Sequence, residues 1–177
     1  MNFKKIISIL SLTVVSLMAE VDMKEPLTGI TLDQDNGHYV EGGKWDSSML
    51  KGLTTMLMYV DPDEKNKGEI FKPTIEAFEK DLDFSKFQIL VVLNLNATWK
   101  PNFVIESLLK DKMEAYPQRI YVVDKKSVLV KKWGLIDNEY NTLILNKDAK
   151  VLYSHSGEWL DGEMSSVNTL VRKEVNK

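Results

Sequence analysis

The chain contains no cysteine in 177 residues. Thiol nucleophiles, thiolate metal ligands and disulfide exchange are therefore excluded as its chemistry. Histidine is nearly as scarce, with two residues, His38 and His155. Each falls on an expected strand or strand end, and nothing nominates the further ligands that a metal site needs. Ser154 and Ser156 flank His155, but neighbours on a strand point to opposite faces, so they form no nucleophile–base pair. A basic excess is also missing. Lys and Arg number 23 against 26 Asp and Glu, for a net charge of −3. Such a chain lacks the cationic footprint that neutralises phosphates, so no nucleic-acid partner is expected. Only one long apolar run occurs, "IISILSLTVVSL" at 6–17, and it is shorter than the roughly 20 residues of a membrane span.

That run sits between the basic start "MNFKK" and the small Ala19, which is the order of a secretory signal peptide. Residues 1–19 are read as a leader that is removed on export to the periplasm, with no stable membrane insertion afterwards. No Cys follows the run, so lipoprotein attachment is excluded. Cleavage removes Lys4 and Lys5 and no acid, leaving a net charge of −5.

What remains suits one globular domain. The composition is 44% hydrophobic and 28% charged, with four Trp, enough to build a core. Residues 20–36 read as a polar lead-in and 37–177 as the domain. "HYVEGGKW" (38–45) suggests a short strand and a Gly-Gly turn. "DSSMLKG" (46–52) suggests a helical turn capped by Asp46 or Ser47. "LTTMLMYV" (53–60) and "FQILVVLNL" (87–95) are continuous apolar runs, as expected of strands covered on both faces. Between them Phe71, Ile75, Phe78 and Leu82 recur at helical spacing, with Pro73 near the start, where a missing N–H costs least. A helix over 103–113, a strand over 119–124 and a short helix over 127–134 follow. Residues 141–157 read as a hairpin and 161–175 as an amphipathic helix with Arg172 and Lys173 near its negative end. Apolar strands alternating with helices predict right-handed βαβ units. The expected fold is α/β, a three-layer α/β/α sandwich with a mixed sheet.

"WGLIDNEYNTLILNKDAKVLYSHSG" (133–157) resembles the thioredoxin and peroxiredoxin segment that leads into a strand, a charged turn and a second strand ending in Gly. "YVVDKKSVLVKKWGL" resembles the preceding strand and short helix of the peroxiredoxin-like branch, and "TTMLMYV…FKPTIEAFEK" the first strand, active-site turn and proline-bearing helix. Within this thioredoxin-like superfamily, "DEKNKGEIFKPTIEAF" together with "VDKKSVLVKKWGL" resembles the YtfJ family of small exported bacterial proteins. The likeness covers roughly residues 38–175. Members are usually of unknown function. Some carry a transcriptional-regulator label, which the leader and the acidic charge oppose. Carried over from the strand "LMYV", the two active-site cysteines fall at Glu64 and Lys67. Counted back from Pro73, they fall at Lys65 and Gly68. The supporting cis-proline falls at Asn141. All of these positions depart from the redox pattern. The resemblance thus implies the scaffold without oxidoreductase or peroxidase activity.

The turn "YVDPDEKNKG" (59–68) then has two readings. Asp61, Asp63, Glu64 and Lys67 form either a recognition surface at the former active-site face or a solvated loop with helix-starting acids. The loop lacks the Asp-x-Asp-x-Asp-Gly spacing of a dedicated calcium site, so neither metal nor cofactor is expected. Trp99 follows the strongest strand at its C-terminal end, where ligands sit in open α/β sheets. It lines a groove with Tyr59 and Tyr140 or packs under the following helix. The expected groove is thus Tyr59, Asp61, Asp63, Glu64, Lys67, Trp99, Tyr140 and Asn141. The expected function is a binding or accessory module for a periplasmic protein or small ligand. An enzyme using carboxylate or bound-ion chemistry through Glu64 or Asp61 is the alternative.

Overall fold

A computed structural model describes residues 25–159 and 162–177, so the leader expected over 1–19 lies outside the described residues. In chain order the elements are β1 (Thr31–Leu32), β2 (Gly37–Tyr39), β3 (Trp45–Asp46), a 3-10 turn (Ser47–Leu50), β4 (Thr54–Val60) and a 3-10 stretch (Lys65–Phe71). Then come α1 (Lys72–Asp81), β5 (Phe87–Asn94), a 3-10 turn (Leu95–Ala97), α2 (Asn102–Ala115) and β6 (Arg119–Asp124). The chain closes with α3 (Val128–Trp133), β7 (Tyr140–Leu145), β8 (Val151–Ser156) and α4 (Glu163–Val175).

The main sheet has the order β2-β6-β5-β4-β7-β8. β4, β5 and β6 are parallel neighbours, and the outer strands β2, β7 and β8 pair antiparallel. This is the expected mixed sheet. Every residue of β4 is buried, which is why its run shows no apolar–polar alternation. The turn after β7 closes with Ala149 at φ 61°, and Asn146 accepts the Asp148 and Lys150 N–H groups through its side chain.

Alternate strand residues point to opposite faces, and two different layers cover them. On one face Met56 and Met58 of β4 pack with Ile75 and Phe78 of α1 and with Val167 and Val171 of α4. Farther along this face Leu93, Tyr121 and Val123 pack with Ile105 and Leu109 of α2. The crossovers β4–α1–β5 and β5–α2–β6 step the same way across the sheet, so right-handed connections place both helices on this side. Burial of Phe78 alone contributes about 2–3 kcal/mol.

The opposite face is covered by α3 and the N-terminal segment. Leu57, Leu90, Val92 and Leu143 pack here with Leu32, Trp45 and Trp133, whose indoles meet edge to face at 6.2 Å. The polar lead-in expected over 20–36 is corrected in its described part, from residue 25: Leu27, Ile30 and Leu32 are core residues, and β1 pairs with β3. Lone apolar residues separated by polar ones show no period, yet each is buried in the cluster that includes α3 and the sheet. Asp46 caps the 3-10 turn as expected, accepting the Ser48 N–H at 2.9 Å. Hydrogen bonds from Ser48 and Thr31 hold its carboxyl down at about 2.

Candidate binding site

The turn between β4 and α1 is ordered by its own polar groups. Asp61 accepts the Asp63 N–H at 2.8 Å, an Asx-type turn, and its main-chain oxygen accepts the Glu64 N–H at 3.0 Å. Asp63 accepts the Thr98 hydroxyl at 2.9 Å and pairs with Lys100. Those two donors, Lys100 first, hold the Asp63 carboxyl below the usual range. Lys67 lies 2.9 Å from Glu64 and 2.7 Å from Glu139, and its ammonium is correspondingly raised, chiefly by the Glu139 hydrogen bond. The charges of the turn thus hold one another and brace it to the 96–101 and 138–142 loops. Asp61 differs. It is buried, and desolvation raises its carboxyl above the ordinary range.

The position that one count assigns to a cysteine is occupied from outside. A Cβ built on Gly68 would lie 2.3 Å from the ring of Tyr140. That ring is buried, its hydroxyl donates to Met58 Sδ at 3.1 Å, and burial pushes its phenol up to about 12. Seven residues of 3-10 helix precede α1.

The structure separates the expected groove residues. Val60 pairs with Tyr140 and Tyr59 with Asn141, so Tyr59 and Asn141 point to the α3 face, away from Tyr140. Tyr59 is a core residue whose hydroxyl donates to Asp124 at 3.1 Å. Burial, with that carboxylate beside it, raises its phenol well above the ordinary value. Asn141 fastens the loop after α3, accepting the Ile136 N–H at 2.9 Å and donating to its carbonyl at 2.8 Å. Among the described residues there is no cis peptide bond. Trp99 neither lines a groove with the tyrosines nor packs under a helix; it is 86% exposed, because the loop carrying it is held by Asp63 through Thr98 and Lys100.

The 61–68 turn instead divides two hollows. One of about 440 Å³ is lined by Asp63, Glu64, Lys67, Ile70, Glu158 and Trp159, among others. In its wall Trp159 stacks on Phe71 at 4.6 Å and on His155 at 4.6 Å. The other, of about 450 Å³, lies between α1 and α2. Pro62, Asp63, Lys65, Gly68 and Lys100 border it, and Tyr140 lies in its floor. At its floor the middle strand is partly uncovered at Val91, the one residue of β5 that is not buried.

Several residues at these sites are missed by the sequence reading. Val91, Leu108, Lys72, Lys112 and Tyr116 line the α1–α2 groove. They lie on separate elements; Val91, partly open on a strand expected to be covered on both faces, and Leu108, an apolar helix residue 55% exposed, are the two whose exposure marks the groove. On the other face Asp124 accepts the Val128 and Leu129 N–H groups at 2.9 Å each, capping α3 from the end of β6. Ser127 donates to Asn94 at 2.9 Å and adopts φ 51°. No sequence signal distinguishes these polar strand ends from ordinary loop caps.

His155 contacts Glu163 at 3.2 Å through Nδ1 and the Glu158 carbonyl at 2.9 Å through Nε2. His38 meets the Tyr39 carbonyl at 2.7 Å. Among the described residues no group of three or more His, Asp or Glu side chains is placed to hold a metal ion.

Comparison with known proteins places this geometry. The curated "Uncharacterized protein YtfJ" of Escherichia coli (strain K12) is 25% identical over 166 residues, covering 87% of this chain and 86% of that protein. Among solved structures, the pneumococcal exposed lipoprotein thioredoxin Etrx1 from Streptococcus pneumoniae strain TIGR4 superposes with a TM-score of 0.56 at 15% identity, covering 78% of this chain and 97% of that one. A thiol-disulfide isomerase from Corynebacterium glutamicum gives a TM-score of 0.57 at 14% identity, covering 84% and 97%. A secreted disulfide oxidoreductase from Mycobacterium tuberculosis gives 0.53 at 8%, covering 78% and 94%. These likenesses establish the fold as thioredoxin-like. The profile of the family described as "Bacterial protein of unknown function (YtfJ_HI0045)" matches residues 13–174, and the chain belongs to that family.

Proposed function

We propose that the chain is a periplasmic binding or accessory module that keeps a thioredoxin-like scaffold and does no thiol chemistry. The observation that carries this reading is the packing of the Tyr140 ring over Gly68. It fills a place that the redox fold gives to a sulfur, while an open groove persists beside it. The leader-like N-terminus supports export. So do the descriptions of two structural relatives, one an exposed lipoprotein and one secreted. No helix among the described residues is long and apolar enough to cross a membrane. The working residues are Asp63, Lys65, Lys100 and Tyr140 at the groove. Asp61, Glu64 and Lys67 hold the turn, and the exposed Trp99, with Lys100 over its ring, is open to a partner. The ligand is a periplasmic protein or small molecule rather than nucleic acid. The test places a photocrosslinker at Lys65 in the exported protein. The reading expects the processed chain in the periplasmic fraction and a discrete adduct that Gly68→Trp abolishes. A cytoplasmic unprocessed chain, or no adduct, overturns it.

One observation favours a second reading, an enzyme working through a carboxylate. Asp61 is buried at the C-terminal end of a central parallel strand with a raised pKa, as a general acid needs. Glu64 does not share that environment and is taken up by Lys67. Any hydrolytic activity found in the purified protein should vanish in Asp61→Asn; activity that survives this change removes the reading.

A further inference from the structure

The floor of the α1–α2 groove is made of Met58, Val60, Val91, Leu93 and Tyr121, with Ile75 on one wall and Ile105, Leu108 and Leu109 on the other. The trough is apolar, and a partly solvated Leu108 and Val91 on facing surfaces leave hydrophobic area uncovered. The polar groups of its lining are predominantly cationic. Five cations, Lys65, Lys72, Lys100, Lys112 and Arg119, stand against three acids, Asp63, Glu69 and Asp111, which reverses the acidic balance of the chain as a whole. Three of the cations have acid partners, Lys100 with Asp63, Arg119 with Glu79 at 2.6 Å and, more loosely, Lys72 with Glu76 at 4.0 Å. Lys72 and Lys112 converge on Tyr116 with Arg119. The guanidinium of Arg119 lies 3.8 Å and the ammonium of Lys112 5.9 Å from the ring centroid, and a hydrogen bond with Tyr116 is the main cause of the raised Lys72 ammonium. One corner of an apolar trough is therefore a cluster of positive charge.

From this charge complementarity we propose that the groove binds a long-chain carboxylate, its alkyl chain along Val91 between α1 and α2 and its head group at the Lys72–Lys112–Tyr116 corner. This deepens the binding-module reading and rests on it. A volume of about 450 Å³ lies within the range of small-ligand sites, which are mostly apolar with few polar groups fixing orientation. A peptide strand finds no footing here. β4 and β5 in the floor are bonded on both edges, and β6 is paired with β2 over Val122–Asp124, so the floor offers no open strand edge along its length for an added strand.

The test is calorimetric titration of the purified protein with laurate below its micellar concentration, beside dodecyltrimethylammonium, which has the same tail and the opposite head. The expected result is saturable one-to-one binding of laurate, with the cationic amphiphile weaker by at least about tenfold. Leu108→Asp removes apolar wall and Lys112→Glu inverts the corner; each should weaken laurate by at least about tenfold. Both residues are exposed, and unchanged thermal melts show that the fold survives. Absence of saturable binding, equal binding of the two amphiphiles, or binding unaffected by both variants overturns the proposal. A crosslinker at Leu108 separates the two levels. A polypeptide adduct without laurate binding overturns the carboxylate and leaves the binding module standing, whereas neither adduct nor binding overturns both.

Discussion

The two faces of the central sheet are built to different standards. The α3 face is sealed by Trp45 and Trp133, and its Asp124 is bonded to Tyr59 and to the start of α3. The α1–α2 face keeps an uncovered strand residue, exposed apolar area and a cationic corner. Consecutive β5 residues read this difference directly, since Leu90 is 2% exposed and Val91 is only half-buried. Both faces carry a buried core, but among the described residues only the α1–α2 side also leaves an opening. The chain has the thioredoxin-like fold without cysteine and an opening on the side where its first two crossover helices lie.

The largest effect that would test this contrast is on the sealed face. Trp45→Ala should cost about 3–5 kcal/mol and Leu90→Ala about 2–5 kcal/mol in urea unfolding, while Val91→Ala, one residue away, should cost about 1 kcal/mol or less. Equal costs at 90 and 91 would show that the groove floor is as tightly packed as the core.

Next in size is Gly68→Ala. Its new methyl must displace a buried, hydrogen-bonded Tyr140 ring, an overpacking cost of about 1–3 kcal/mol. Tyr140→Leu should relieve most of it when the two changes are combined. A destabilisation that persists in the double variant would mean that the ring is not the obstacle. By the same argument a cysteine pair at Lys65 and Gly68 should fold worse than one at Glu64 and Lys67.

Asp61 gives a pH-dependent comparison. Its folded pKa is raised by burial, so the folded state holds the proton more tightly than the unfolded one. Stability from this group is complete below the ordinary carboxylate range and falls as pH rises through the raised value. Asp61→Asn keeps an acceptor for the Asp63 N–H and removes that loss. The variant should gain on the wild type between pH 4 and pH 8 in parallel urea titrations; a constant difference would show that the carboxyl is not desolvated. The smallest effect belongs to Trp99→Ala, within about 0.5 kcal/mol of wild type, because the side chain is almost wholly exposed.

Much of the scaffold is legible in the residues. Both-face strands, the Pro73 helix start, the αL cap at Gly134 (φ 69°) and the Asn146 turn each carry a local signal, and their order is enough for the sandwich. The contribution of Leu27, Ile30 and Leu32 is not legible, because it depends on what α3 leaves uncovered. The site was harder to read. A continuous apolar run such as "TTMLMYV" conceals which residues share a face, so Tyr59 and Tyr140 look like neighbours although they lie on opposite sides of the sheet. The turn is visible as a charged, Gly-terminated segment between strand and helix. The groove beside it is lined by residues from several elements far apart in the chain, which no single segment records.

The central claim is that the α1–α2 side is the working face and the α3 side is structural. The most direct measurement compares photocrosslinkers at Leu108 on α2 and Lys132 on α3, both exposed, in the exported protein under identical illumination. The account predicts specific adducts from position 108 and only background from position 132. Equal adducts from both positions, or adducts from 132 alone, would contradict it.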